Sequence, residues 1–426
     1  MPRKKIGILS LGCPRNLVDS EGILSRLKLK GYPIVDLEDA DIGIINTCSF
    51  IKEAKQESIE AILDLIDLKA QGRLKKIIVY GCLSQRYKEE LLPHFKEVDA
   101  FIGRVSLNHT RKSYSLTPEH YAYVKICEGC VNNCSFCVIP QIKGKFSSRG
   151  IDSVIEEVRR LDEQKVKEIN IVGQDITLYG KDQYRSPKLA GLLRKILGHT
   201  RGINWIRLLY LYPSRISDDL LGLIKNEPRI CKYIDLPIQH INNRILKLMN
   251  RDATKEEILR LIDKIRRRIP GVAIRTSLIV GFPTETDREF KELWEFVRSV
   301  QFDRLGAFIY SREEGTPAYS FKPQVSQRAA QERLQIIMST QQEIARGLNE
   351  KYLGRVMDVL IDEKENDSYL GRTQYDAPEV DGIVFVKSAG PLCPGDLIKV
   401  KITDTLEYDL AGEAVNTGGD TLNRSG

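Results

Sequence analysis

The sequence predicts an α/β protein in three parts: an N-terminal parallel-sheet βα domain, a central partial βα barrel, and a small antiparallel β-barrel at the C-terminus. Three observations carry this reading. Short Ile/Val-rich runs alternate with helical stretches over the first hundred residues. The alternation resumes near Tyr121 and runs on for about 200 residues, enough for five or six βα units. Beyond residue 350 the pattern changes to short strands broken by Gly, Pro and Asp.

In the first domain, residues 1–112, the strand candidates are "KIGILSLG", "IGIINTC" and "KIIVYGC". Each ends in Gly or Cys, and "LVDSEGILSRLKLKG" and "KEAKQESIEAILDLIDLKAQG" read as the helices between them. Strands separated by helices imply parallel pairing. A polar stretch, "NHTRKSYSLTPEH", serves as the linker. The central domain, 120–345, has "EINIVGQ", "WIRLLYLY", "YIDLPIQ", "AIRTSLIVG" and "RLGAFIYS" as strands, with helices such as "SVIEEVRRLDEQ" and "KEEILRLIDKIRRRIP". Folds of this kind place their active sites at the carboxyl ends of the strands. A polar helix, "SQRAAQERLQIIMSTQQEIARGLNEKYLG", leads out to the last domain, 350–418. There "RVMDVLIDE", "DGIVFVKSA", "DLIKVKITDT" and "YDLAGEAV" fit a small barrel.

At 426 residues the chain is too long for one core. No run of eighteen apolar residues exists, which argues against a membrane span. The basic start runs directly into Pro14, Arg15 and Asn16, so it reads as a first strand and not a signal peptide, and a cytoplasmic protein is expected. Nine cysteines, an odd number, point to metal ligands or reactive thiols more than to disulfides. The net charge of +7 is unevenly spread: residues 351–426 hold 8 Lys+Arg against 14 Asp+Glu, while the rest carries +13. No glycine-rich turn matches a phosphate loop, which disfavours a nucleoside triphosphatase.

Four cysteines crowd "KICEGCVNNCSFCVIP": Cys127, Cys130, Cys134 and Cys137. Zinc ribbons pair two C-x2-C knuckles across a longer spacer than the three residues here. The bacterial ferredoxin order also differs. Cys130-x3-Cys134-x2-Cys137, with Phe136 before the last cysteine, resembles the radical-SAM signature. In it three thiolates hold three irons of a [4Fe-4S] cluster and leave the fourth to S-adenosylmethionine. Cys127 lies outside the signature and reads as a small packing residue. Cys13, Cys48 and Cys82 each follow a strand of the first domain, so a parallel sheet would bring them to one edge. Three buried core cysteines are the plainer alternative. Cys231 and Cys393 show no partner pattern and are assigned to packing.

Three N-terminal cysteines, then C-x3-C-x2-C, then a small β-barrel of the TRAM kind resemble the radical-SAM methylthiotransferases over essentially the whole chain. "SLGCPRNLVDSE", "YIDLPIQH", "YSREEGTPA" and "GRTQYDAPEVDG" look most like the RimO type, which modifies an aspartate β-carbon of ribosomal protein S-twelve. The sister MiaB type acts on a tRNA adenosine and more often has "PGTPA" where Glu313 to Ala318 read "EEGTPA". A tail at −6 repels RNA phosphates and attracts a basic ribosomal protein. A tRNA methylthiotransferase and a non-catalytic iron–sulfur protein binding ribosomes or RNA are the alternatives.

The resemblance implies two [4Fe-4S] clusters, one on Cys130, Cys134 and Cys137 and a sulfur-bearing one on Cys13, Cys48 and Cys82. It implies S-adenosylmethionine as radical source and methyl donor, and a low-potential flavodoxin- or ferredoxin-type electron donor. The 5′-deoxyadenosyl radical would take hydrogen from a carbon too weakly acidic for any protein base. Gln174 and Asp175 occupy the place of the family's loop that meets the methionine amine, although glutamine stands where that loop is acidic. Gln239 with His240, Arg275 and Gly281 complete the cofactor-binding candidates, Gly281 through close backbone approach to the adenine. His240 and Arg275 also have plain readings, as a structural hydrogen bonder and a carboxylate partner. The family usually has serine at Cys127, in keeping with a small non-ligating side chain.

Overall fold

The computed structural model describes residues 3–104 and 114–415. The first unit is β1 (Ile6–Ser10), α1 (Pro14–Leu29), β2 (Ile42–Thr47), α2 (Lys52–Ala70), β3 (Lys76–Gly81), α3 (Cys82–Leu91) and β4 (Ala100–Ile102). Its strands form one parallel sheet in the order β1-β2-β3-β4. The three-residue β4 is too short to show a periodicity, which is why the sequence does not announce it. Ile45, Ile77 and Val79 on the strands bury against Ile62 and Leu65 of α2 and Leu83 of α3. The first six of the thirteen residues of the expected linker, 108–113, lie outside the described residues, as do 416–418 at the other end.

The central unit begins with β5 (Tyr121–Lys125), β6 (Cys127–Glu128), α4 (Ile139–Lys143), β7 (Ser147–Ser148), α5 (Ile151–Glu163) and β8 (Glu168–Val172). It continues through α6 (Lys181–Tyr184), α7 (Leu189–His199), β9 (Trp205–Leu208), α8 (Asp218–Asn226), β10 (Tyr233–Gln239), α9 (Asn243–Leu248) and α10 (Lys255–Arg268). β11 (Ala273–Val280), α11 (Asp287–Val300), β12 (Arg304–Ile309) and α12 (Gln327–Asn349) complete it. Two three-stranded parallel sheets, β5-β8-β9 and β10-β11-β12, meet at a seam of backbone hydrogen bonds. Ile206 N donates to Arg229 O at 2.7 Å, and Leu211 N to Asp235 O at 3.0 Å. The barrel is therefore partial, with β12 as a free edge. Ile169 and Ile171 point outward onto Val154 and Val158 of α5 and Leu192 and Ile196 of α7. Capping boxes, Thr254 with Glu257 and Thr286 with Glu289, start α10 and α11 sharply.

The last unit is β13 (Val356–Glu365), β14 (Ser368–Arg372), β15 (Val384–Lys387), β16 (Leu397–Thr405) and β17 (Leu410–Ala414), closed in the order β13-β14-β15-β17-β16. The expected antiparallel barrel contains one parallel pair, β15 with β17.

The tail plugs the end of the central barrel where the strands begin. Strand positions that face the barrel interior carry Glu168, Arg207, Arg275 and Arg304, and isolated buried charges cost far too much to persist. The tail supplies the partners. Glu168 accepts from Arg207 Nε at 2.9 Å and from Arg372 Nη1 at 2.7 Å, and none of these side chains is more than 3% exposed. Arg207 Nη1 donates to Gln374 O at 2.8 Å, Arg304 Nε to Asp376 at 2.9 Å, and the Tyr233 hydroxyl to Asp381 at 2.6 Å. Asp362 joins His120 and Arg372 on the same surface. "GRTQYDAPEVDG" is thus the docking segment of the tail.

Replacing Glu168 with alanine strands Arg207 without a carboxylate and leaves Arg372 with Asp362 alone, so stability falls by about 3–5 kcal/mol. Denaturant unfolding measures it, and parent-like stability would refute the plug.

Candidate functional site

The first thiol trio gathers where the N-terminal sheet ends. Cys13 is the residue before α1, Cys48 directly follows β2, and Cys82 opens α3. Helix N-termini favour negative charge, so thiolates are stabilised there. Gly12 has φ +89°, and an added Cβ would stand 2.8 Å from the Cβ of Cys48, which makes glycine obligatory where the two loops touch. Asn16 ties the loops together. Its amide donates to Leu11 O at 3.1 Å and Thr47 O at 3.3 Å, and the Cys82 thiol reaches its Oδ1 at 3.7 Å. Burial works against a thiolate at Cys13, but Arg15, with Nε at 3.3 Å, together with the Asn16 N–H and Lys143 outweighs it and holds that thiol below its ordinary range. Burial pushes Cys48 up to about 12 and raises Cys82 as well.

The second trio lies in the loop between β6 and α4, with Cys134 buried and Cys130 and Cys137 half-buried. Asn132 N donates to Cys130 Sγ at 3.4 Å, and Arg251 Nη1 to Cys134 Sγ at 3.7 Å. Ser135 anchors the loop to the end of α9 through Leu248 O at 2.6 Å. Phe136 packs on Ile245, Met249 and Phe282, which explains an aromatic at that place. Burial raises Cys130 and pushes Cys137 to about 12. Cys127 belongs to the barrel's outer core and its thiol donates only to Asp175 O at 3.6 Å. A Cβ at Gly173 would meet its sulfur at 2.4 Å, so the small side chains of both residues fit one another.

Among the described residues no three Cys, His, Asp or Glu side chains close on a single metal ion. Zinc needs its sulfurs about 2.3 Å from one ion. Each trio offers three sulfurs at one place, at the N-terminal strand ends and in the loop after β6, and these are the soft donors that an iron–sulfur cluster takes.

Of the expected cofactor contacts, Gln174 stands out. Both amide atoms are buried without a partner among the described residues, a state that a polar ligand would relieve. Asp175 is already engaged: it accepts from Arg215 Nη1 at 2.6 Å, Asn132 Nδ2 at 3.1 Å and Thr177 N at 3.0 Å. Its position braces the cysteine loop. Gln239 at the end of β10 and Tyr210 just past β9 adopt φ of +77° and +66°. Left-handed backbone in bulky residues at neighbouring strand ends is the kind of strain that clusters at functional sites.

Three other expectations receive structural explanations. Arg275 lies 3.2 Å from Asp235 and 3.3 Å from Asp381, so it links the barrel to the tail. At Gly281, φ is +71° and an added Cβ would lie 2.7 Å from Ala330 of α12, so helix packing accounts for the glycine. His240 is fully buried, accepts from Asn242 N at 3.0 Å, and is driven down to about 3 by burial. It helps start α9. Glu313, from the "EEGTPA" stretch, is a buried clasp between units, 2.9 Å from both Lys55 and Arg86.

The sequence reading passed over Arg15, Asn16, Tyr210, Arg215 and Arg251. Arg15 and Asn16 sit inside "SLGCPRN", where the cysteine is the residue whose type alone signals chemistry. The aromatic-rich "LYLYPSR" was the available signal for the others, because Arg215 and Arg251 both stack on Tyr212, at 4.2 and 4.1 Å.

Comparison with known proteins follows the same division. The Radical SAM superfamily profile matches residues 124–297, the Uncharacterized protein family UPF0004 profile matches 5–103, and the TRAM domain profile matches 353–415. Curated relatives similar over nearly their full length include proteins named ribosomal protein uS12 methylthiotransferase RimO. The one from Clostridioides difficile is 45% identical, over 96% of this chain and 99% of its own. Those from Geobacter sulfurreducens and Desulforamulus reducens are 46% and 47% identical, over 97% and 96% of this chain and 99% of each relative. Among solved structures, the radical S-adenosylmethionine methyltransferase TsrM from Kitasatospora setae, with cobalamin and a [4Fe-4S] cluster bound, shares the fold at a TM-score of 0.55 and 13% identity. The match covers 84% of this chain and 81% of that one.

In the metal-free chain, Cys13 titrates below Cys48, so at about pH 8 an alkylating reagent modifies Cys13 first. Peptide mass spectrometry follows both sites, and equal rates would contradict the assigned role of Arg15 in stabilising the thiolate.

Proposed function

The chain belongs to the radical-SAM methylthiotransferases of the RimO type, and from that premise we propose that it adds a methylthio group to the β-carbon of an aspartate in ribosomal protein uS12. The observation that carries the mechanism is the pair of thiol trios, one at the strand ends of the N-terminal sheet and one in the loop at the top of the barrel. Cys130, Cys134 and Cys137 would hold one [4Fe-4S] cluster, and Cys13, Cys48 and Cys82 a second. When bound, the clusters and S-adenosylmethionine supply the one-electron C–H chemistry, the sulfur and the methyl group.

The chain's own residues bind, orient and enclose. Gln174 offers a buried, unsatisfied amide to the polar end of S-adenosylmethionine, and Gln239 stands at the next sheet's strand end. Asp175, Arg215 and Asn132 form one hydrogen-bonded set that fixes the cysteine loop beside them. Arg15 and Lys143 bring positive charge to the N-terminal trio, where anionic thiolates need it. The tail plug closes the other end of the barrel, which keeps water from the reacting atoms.

A basic ribosomal protein is the substrate that suits the tail, with a correction to how its charge is spread. Asp362, Asp376 and Asp381 are spent on the barrel, along with Arg372. The rest still holds eleven acidic against seven basic residues, a surface that disfavours RNA phosphates. No described helix is long and apolar enough to cross a membrane. We place the enzyme in the cytoplasm, reduced by a flavodoxin- or ferredoxin-type donor.

Changing Cys13, Cys48 and Cys82 to alanine removes about half the iron and leaves S-adenosylmethionine cleavage to 5′-deoxyadenosine in place. Unchanged iron would leave those three as packing residues. Mass spectrometry of uS12 and tRNA from a deletion strain tests the acceptor: the mark disappears from uS12, and loss from tRNA alone would overturn the assignment.

A further inference from the structure

Arg15 is the second residue of α1, two positions after the first thiol, and its guanidinium lies between the two trios. Nε donates to Cys13 Sγ at 3.3 Å, and Nη1 crosses to the barrel to donate to Gly173 O at 3.2 Å. Gly173 immediately precedes Gln174, whose amide is open. The guanidinium plane also lies 4.5 Å from the ring centre of Tyr210, a residue held in left-handed backbone and tied through its N–H to Asp235 at 2.9 Å. Its positive charge is felt by Cys13 and Cys48 of one trio and by Cys137 of the other. By contrast Lys143 acts on Cys13 and Cys82, both of the N-terminal trio, and Arg251 contacts Cys134 of the barrel trio.

We propose that Arg15 is the positioning residue that couples the two halves of the site, holding the sulfur-bearing trio in register with the strand-end loop of the barrel. The inference rests on the two-cluster reading above. Arg15 acts through Cys13 and the Gly173 carbonyl, the two groups to which its guanidinium donates. Its three contacts demand different properties. Charge serves the sulfur, a forked donor serves the carbonyl, and a flat face serves the tyrosine. Lysine supplies only the first of these. A small displacement of one trio against the other is costly for any reaction that passes between them. Chemistry confined to the barrel trio is little affected by it.

The test compares Arg15→Met and Arg15→Lys in anaerobically reconstituted enzyme. Iron per chain stays at the parent value in both. In Arg15→Met the yield of methylthio product per 5′-deoxyadenosine falls about tenfold or more, and in Arg15→Lys it falls less. A second measurement is independent of turnover. In a background with Cys130, Cys134 and Cys137 changed to alanine, an EPR-monitored redox titration reports the N-terminal cluster alone. Removing the cation makes that cluster harder to reduce, so Arg15→Met lowers its midpoint potential and Arg15→Lys largely restores it. A product ratio within about twofold of parent, or iron lost from the N-terminal trio, would overturn the coupling role. An iron signal missing from the unsubstituted Arg15 background would instead sink the two-cluster reading, and the inference with it.

Discussion

Asp19 is the point on which the arrangement of the site depends. Its carboxylate, on α1, accepts from two buried lysines, Lys125 at the end of β5 and Lys143 at the end of α4, the latter at 3.1 Å. Burial opposes its ionisation, but the two ammonium groups together keep it below the usual carboxylate range. Glu128 adds a second carboxylate 3.6 Å from each lysine. Two ammonium groups sealed in the interior are tolerable only while these acids remain. Because α1 follows directly from Cys13 and α4 closely follows Cys137, the same ion cluster fixes the supports of both trios. Docking and site assembly are one event.

The rest of the architecture elaborates that contact. Two parallel sheets meet strand end to strand end, which is where helix N-termini, glycine turns and unsatisfied polar groups collect in any βα fold. Glu313 with Lys55 and Arg86 clasps the same junction from another side. At the opposite end of the barrel the tail supplies carboxylates to interior arginines. Charged barrel layers are costly alone, and here they specify which surface of the tail must sit against them. Both ends of the short barrel are thereby covered, and β12 remains the free edge of its sheet.

Much of this was legible in the sequence because the relevant signals are local. "IGIINTC" announces a buried parallel strand and puts Cys48 at its end without further information, and the spacing of Cys130, Cys134 and Cys137 is itself a chemical statement. What escaped depends on partners distant in sequence. Arg15 gains its significance from Gly173 and Tyr210, 158 and 195 positions away. For Arg275 the sequence allows a carboxylate partner but cannot name it, and the fold supplies Asp235 and, from the tail, Asp381. At Gly281 the close approach that the fold shows is that of Ala330 on α12, which no local pattern announces. In the sequence the acidic tail is a single run of charge, and only the fold divides it into carboxylates that face the barrel and those that face solvent.

The proposed function and the coupling role of Arg15 both require iron on either side of its guanidinium. Crystals of the anaerobically reconstituted protein, measured at the iron absorption edge, test that directly. Two anomalous peaks are expected, one among Cys13, Cys48 and Cys82 and one among Cys130, Cys134 and Cys137, with the Arg15 guanidinium between them. A single peak at the barrel trio, with the N-terminal thiols free, would contradict it.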